Sequence, residues 1–336
     1  MSSSTRSIPE EKFARLNLLR KYLEKKYSIC IIEMTRLDRS VYRIDRRDGE
    51  SWVVRAFPAD RPVERVQGEA EILQFLEEQG FPSERIANQE PVTFPGGQGV
   101  IVTQFVEGKP AVADESTFFK FGEMLGQLNN LPAESRVIAR EAGSLHHYSK
   151  LEGLPRNDLN AATSWLTTIA KRTPLQSQGL REQLLKRLSS ADDLHDLPRT
   201  LIHPDPVLKN LIETPSHELM LIDWTGAGKG PRLLALAILI WNSALAKGGG
   251  QQMNAVIAGY SSQVKIEENE LERLYSAITL RPLIFACWRF RYAIMTGKAP
   301  DGTEWWWPSD ALAEMTAAHA KAAFKRIDYS QHASNL

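Results

Sequence analysis

Between residues 201 and 224 the chain reads LIHPDPVLKNLIETPSHELMLIDW, and this stretch holds His203, Asp205, Asn210 and Asp223. These residue types at this spacing suit chemistry on a metal-bound phosphate ester. One carboxylate, Asp205, accepts the proton of an attacking hydroxyl. The Asn210 amide oxygen and the Asp223 carboxylate are hard oxygen ligands, which magnesium takes when it lies against phosphates. The same residues also serve as turn formers or helix caps, and a histidine such as His203 can simply fix a loop by a side-chain hydrogen bond. The order of neighbouring residues favours the chemical reading. An apolar pair, Leu201 and Ile202, precedes the motif. Leu211 and Ile212 follow it, then a turn at Thr214, Pro215 and Ser216, then a β-favouring run ending at Asp223. The result is a loop, a hairpin and a strand-end aspartate in sequence.

The elements needed to position these groups are legible on either side. Apolar residues at helical spacing (Phe13, Leu16, Leu19, Leu23, Tyr27) follow a start signal at Ser7, Ile8 and Pro9, which predicts a helix to about Tyr27. Strands are expected at 29–34, 41–44 and 52–57, with Asp48 and Gly49 as a hairpin turn. A helix carrying Val66, Ala70, Leu73 and Leu76 on one face should end at Gly80 and Pro82, before strands at 92–94 and 100–105. Together these make a small antiparallel sheet with one internal helix. Val106, Glu107, Gly108, Lys109 and Pro110 have the composition of a linker, which divides the chain into domains 1–106 and 107–336. Beyond it the pattern is mainly helical: a helix marked by Phe118, Phe121, Leu125 and Leu128, an irregular polar insertion at 136–158, and helices near 161–171 and 180–188. A buried helix is expected at 233–245, and a long one at 271–295 broken or kinked near Pro282. The run Gly226, Ala227, Gly228, Lys229, Gly230, Pro231 lacks the spacing of a Walker A phosphate loop, since glycine follows Lys229, and reads as a flexible loop.

At His203, Pro204, Asp205, Asn210, Asp223 and Trp224 the chain resembles the aminoglycoside phosphotransferase and choline kinase family, relatives of the protein kinases. The resemblance implies an α+β, two-lobed, protein-kinase-like fold and ATP- and Mg²⁺-dependent transfer of the γ-phosphate to a hydroxyl of a small molecule. It implies catalytic roles for Asp205 and His203 and metal binding by Asn210 and Asp223. By the same resemblance Arg55, on the third strand, contacts the nucleotide phosphates and is held by Glu69 of the internal helix; Glu71 lies on another helical face. Ser40, with Arg36 or Arg39, stands in a nucleotide loop from which the glycines of many relatives are missing. Gln104, Phe105 and Val106 are the adenine-binding candidates. Ala235 stands where relatives place an aspartate that braces the catalytic loop.

Composition narrows the remaining choices. Lys plus Arg and Asp plus Glu are both 41 of 336 residues, so overall charge gives no support for nucleic acid or an anionic membrane as partner. Cys30 and Cys287 lie in apolar stretches and read as buried free thiols, and the N-terminus lacks the apolar core of a signal peptide, so a cytoplasmic protein is expected. His146 and His147 have no spaced partner for a metal site. Trp305, Trp306 and Trp307 form either an aromatic wall for an acceptor, cationic by cation–π contact, or plugs against the long helix. Arg289 and Arg291 equally fit an acidic acceptor. Two other functions compete with the kinase: a catalytically weak nucleotide-binding regulator, and a metal-dependent hydrolase.

Overall fold

The computed structural model describes residues 10–333 apart from 39, 60, 62, 89–90, 95–96, 133–139 and 143–154. The chain forms two compact units, Met1–Glu107 and Gly108–Leu336. In the first, α1 (Glu10–Tyr27) precedes an antiparallel sheet of β1 (Ile31–Asp38), β2 (Val41–Arg46), β3 (Gly49–Ala56), β4 (Val92–Phe94) and β5 (Gln98–Gln104), in the order β1-β2-β3-β5-β4. Arg46 pairs with Gly49, so the expected hairpin turns at Arg47 and Asp48. Ile44, Val54, Val92, Val100 and Val102 are buried together with Leu19 and Leu23 of α1. The internal helix α2 (Val63–Glu78) packs Val66 and Ala70 against Phe57 and Ile101. It stops at Gly80, whose φ of 67° is the left-handed conformation typical after a helix end. β1 is longer than its apolar run predicts. As an edge strand it extends through exposed Glu33, Thr35 and Arg36, which no hydrophobic pattern marks.

The second unit begins with β6 (Lys109–Pro110) and is mainly helical. Its helices are α3 (Glu115–Asn129), α4 (Arg156–Thr168), α5 (Leu175–Ser189), α6 (Arg232–Ala244), α7 (Gly250–Ser261), α8 (Glu268–Glu272), α9 (Leu274–Met295) and α10 (Asp310–Ala333). The Asp114 carboxylate caps α3 by accepting from the Thr117 amide at 2.8 Å. A Cβ on Gly122 would lie 2.9 Å from the Val256 carbonyl carbon, so glycine there lets α3 and α7 pack backbone to backbone. Four short strands interrupt the helices: β7 (Arg199–Ile202), β8 (Leu211–Glu213), β9 (Leu219–Leu221) and β10 (Gly228–Pro231). β8 pairs with β9 and β6, while β7 pairs with β10.

Two expectations are corrected here. The segment 226–231 is no flexible loop: residues 228–231 form β10, with Gly228 opposite Ile202 and Lys229 opposite Leu201. A Cβ on Gly228 would sit 2.7 Å from the Ala142 amide, so its glycine serves a close backbone approach rather than mobility. Of the two outcomes expected at Pro282, the break is excluded: α9 runs as one helix through it, because one missing N–H in a long, well-packed helix costs a hydrogen bond without ending it. His146 and His147 lie outside the described residues. Among the described residues, no helix is long and apolar enough to cross a membrane.

Candidate active site

β7 brings the chain to the site. The Asn129 amide nitrogen, at the end of α3, donates to the Leu201 carbonyl (3.3 Å) and to Thr200 Oγ1 (3.0 Å). Tyr260 of α7 donates its hydroxyl to Asn129 Oδ1 at 2.9 Å. The strand that feeds the loop bearing His203 and Asp205 is thus pinned by two helices.

His203 follows and is completely buried. Its Nδ1 accepts from the Asp205 amide at 3.1 Å, and its Nε2 faces the Ile222 carbonyl at 3.1 Å. An acceptor role at Nδ1 and a carbonyl at Nε2 fix the neutral tautomer with hydrogen on Nε2. Burial pushes its pKa below the ordinary 6.5, against the opposing pull of Asp223 and Asp205. His203 therefore staples the loop bearing Asp205 to the residue before Asp223. Its ring stands edge-on to buried Trp224 at 4.8 Å, and Trp224 in turn donates Nε1 to the Leu221 carbonyl at 2.9 Å.

The antiparallel register of β8 and β9 matches Leu211 to Leu221, and the Ile222 amide continues the ladder by donating to the Asn210 carbonyl at 2.9 Å. Asn210 is thereby set next to Asp223. The Asn210 side-chain nitrogen donates to the Asp205 carbonyl (2.9 Å) and to Asp205 Oδ2 (3.4 Å). With the nitrogen so committed, the amide oxygen is the atom left to act as a ligand. Asp223 has φ of 66°, a left-handed conformation that aspartate tolerates better than most residues. Among the described residues, no group of three or more His, Cys, Asp or Glu is placed to hold a metal. The amide oxygen and carboxylate present here are instead the sparse, hard donor set with which a protein holds magnesium already bound to phosphates.

Two cations address the buried Asp205 carboxylate. Arg281 of α9 donates Nη2 to Oδ1 at 2.6 Å, and exposed Lys209 approaches Oδ2 at 3.3 Å. Sequence reading missed Arg281. Its signal was a lone arginine in the otherwise apolar run TLRPLIFAC of α9. Ala235 is fully buried in α6, and support for the loop comes from Asn242 two turns later, whose Oδ1 accepts from the Leu208 amide at 3.1 Å.

The first unit holds the nucleotide candidates. Arg55 of β3 lies opposite Val41, and the Ala56 amide donates to the Ser40 carbonyl at 2.9 Å, so Arg55 and Ser40 meet at one end of the sheet. Ser40 has φ of 65°, a left-handed conformation that glycine adopts most readily. Glu69 is buried and paired with the Arg61 guanidinium, which also covers the Phe57 ring at 4.6 Å. Arg61 was not foreseen as a partner of Glu69; Glu71 is exposed. Arg36 donates Nε to the Asp38 carbonyl, and Arg39 lies outside the described residues. Where the sheet ends, the Gln104 and Phe105 amides are bonded to the Arg85 and Ser51 carbonyls, whereas the Val106 backbone has no partner among the described residues.

Residues 29–274 match the phosphotransferase enzyme family. No curated protein sequence matches the chain significantly. Among solved structures, the chain is similar to choline kinase LicA from Streptococcus pneumoniae at 16% identity, covering 93% of this chain and 99% of that one with a TM-score of 0.59. An amicoumacin kinase in complex with AMP-PNP, Ca²⁺ and Ami is similar at 14% identity, 95% and 96% coverage and a TM-score of 0.62. An ethanolamine kinase from Plasmodium vivax is similar at 13% identity, 96% and 92% coverage and a TM-score of 0.59. Such likeness establishes the kinase-like α+β fold, and the family match over most of the chain identifies this protein as a member of the phosphotransferase enzyme family.

Proposed function

We propose that the protein transfers the γ-phosphate of ATP, with magnesium, to a hydroxyl of a small molecule. The observation that carries this reading is the register of β8 and β9, which sets Asn210 beside Asp223 while the Asn210 side chain holds Asp205. The AMP-PNP and Ca²⁺ bound by the amicoumacin kinase are in keeping with it. In this reading Arg55, Ser40 and the Val106 backbone bind the nucleotide, Glu69 shapes that lobe, and Asn210 and Asp223 hold the metal. Magnesium, when bound, neutralises charge on the phosphates. The acceptor oxygen forms a bond to the γ-phosphorus as the bond to the β–γ bridging oxygen breaks, and ADP leaves with that electron pair. Asp205 orients the hydroxyl and takes its proton, held in place by Arg281 and Asn210. His203, with both ring nitrogens engaged by backbone, is a positioning residue.

A panel of sugars, aminoglycosides, amino alcohols, choline-like amines and nucleosides with labelled ATP tests the reading. Asp205→Asn should still bind MgATP while turnover falls by about 10²–10⁴-fold. Asp223→Asn should instead raise the magnesium concentration needed for half-maximal rate and weaken nucleotide binding. Full activity of Asp205→Asn with any good acceptor overturns the assignment.

A second reading, a catalytically weak nucleotide-binding regulator, is favoured by one observation: both Asp205 oxygens face cations, Arg281 and Lys209. Nucleotide binding with no ADP release across the whole panel would select it.

A further inference from the structure

From the Asp205 contact, α9 continues as a stripe of rings. Arg281, Phe285, Trp288 and Tyr292 recur at helical spacing on one face. Phe285 and Trp288 stand 6.2 Å apart, and Trp288 and Tyr292 are stacked at 5.6 Å with planes 15° apart. Arg289 lies among these rings. Its guanidinium carbon is 4.8 Å from the Phe285 centroid, 5.2 Å from Trp288 and 5.1 Å from Trp305. Trp305 is held out on a turn in which Glu304 accepts from the Asp301 and Gly302 amides and Asp301 accepts from the Thr303 amide. Trp305 is 79% exposed and Tyr292 55%, so the stripe is open at this end.

The charge logic is the reverse of an aromatic cage for an amine. The π faces that would attract a cation already have one, Arg289. Arg289 forms no ion pair among the described residues, and its Nε is buried without a hydrogen-bond partner. A buried donor left unsatisfied is costly, and a fixed guanidinium plane is a fork for a carboxylate or phosphate. Arg291, over Trp165 at 6.0 Å, adds positive charge on the same helix. We infer that Arg289, with Trp288 and Trp305, is an acceptor subsite for an anionic group on a planar or apolar body, whose hydroxyl lies at Asp205. This rests on the phosphotransferase reading for the location of the hydroxyl. Eight residues of helix separate Arg281 from Arg289, about 12 Å along the axis, so the acceptor is elongated.

Equilibrium binding without nucleotide tests the subsite apart from catalysis. The probes share a rigid naphthalene with a hydroxymethyl group at one end; the other end carries a carboxylate, its methyl ester or an aminomethyl group. By calorimetry or tryptophan quenching, the carboxylate should bind at least about tenfold more tightly than the other two. Arg289→Met should abolish that preference, and Arg289→Lys should restore part of it. Trp305→Ala, at an exposed position, should weaken all three probes alike, and melting curves establish that each variant is folded. Equal or tighter binding of the ammonium probe, an undiminished carboxylate preference in Arg289→Met, or no binding of any probe overturns the subsite. ADP release is read separately: preference without turnover counts against the kinase reading alone, and turnover of amines without preference counts against the subsite alone.

Discussion

Around Asp205 the neighbours divide into two groups by origin. Asn210 and His203 are within a few residues of it, and their roles follow from a local motif. Arg281 is 76 positions away and reaches the same carboxylate from α9. Its hydrogen bond fixes Oδ1 and so sets the carboxylate in one orientation, the one in which Asp205 would meet the acceptor in the proposed reaction; charged hydrogen bonds of this kind are short and directional. Arg281→Met keeps the side chain's length and removes the donor. Turnover should fall by about tenfold, since a loss near 1.4 kcal/mol of positioning corresponds to one decade, while MgATP affinity is retained. Steady-state kinetics beside nucleotide titration checks this, and an unchanged kcat removes Arg281 from the machinery. Glu69 carries a related lesson. Its acid character on an internal helix was legible, whereas Arg61 as an ion-pair partner was not, because Arg61 lies in the turn before α2 with no periodic pattern around it.

At the scale of elements, segments with an apolar pattern were readable, down to the three-residue strands β4 and β9, and those without one were not. α1, α2, α3 and α6 lie close to where apolar spacing puts them, because each buries one face against a layer. β10 was misread, since glycine, lysine and proline carry no strand signal and the segment pairs only because β7 and the backbone at Glu141 and Ala142 press close on it. Gly228→Val should therefore be overpacked rather than tolerated, at a cost of about 1–3 kcal/mol. In the proposed reaction it should also reduce turnover, because β7 leads into the loop bearing Asp205. Thermal unfolding and ADP-release assays read both effects; a variant as stable and active as the parent would return the segment to the status of a loose loop.

For the molecule as a whole, burial of His203 couples the site to folding. Its folded pKa lies below 6.5, so in that range the unfolded chain binds more protons than the native one. The contribution of neutral His203 is fully present above pH 6.5 and is lost as pH falls towards the folded pKa, by at most about 1.4 kcal/mol per pH unit. Denaturant unfolding at a series of pH values should show this slope, and His203→Gln, though less stable overall, should show a shallower one. Equal slopes would mean that His203 is charged in the native state or does not contribute. The sequence by itself determined the small antiparallel sheet with its internal helix and most of the helices up to α6, because apolar periodicity is a property of neighbours along the chain; it also singled out His203, Asp205, Asn210 and Asp223 as candidates, and the resemblance they carry implied the kinase-like class. Only the tertiary structure decided that Asn242 rather than a residue at position 235 braces the loop, that Arg281 grips Asp205, and that Arg289 fills the aromatic cluster. The contacts of Asn242 and Arg281 join residues 34 and 76 positions apart, and Arg289 meets Trp305 only across the turn that follows α9, so these energies arise from burial that exists only once the helices have packed.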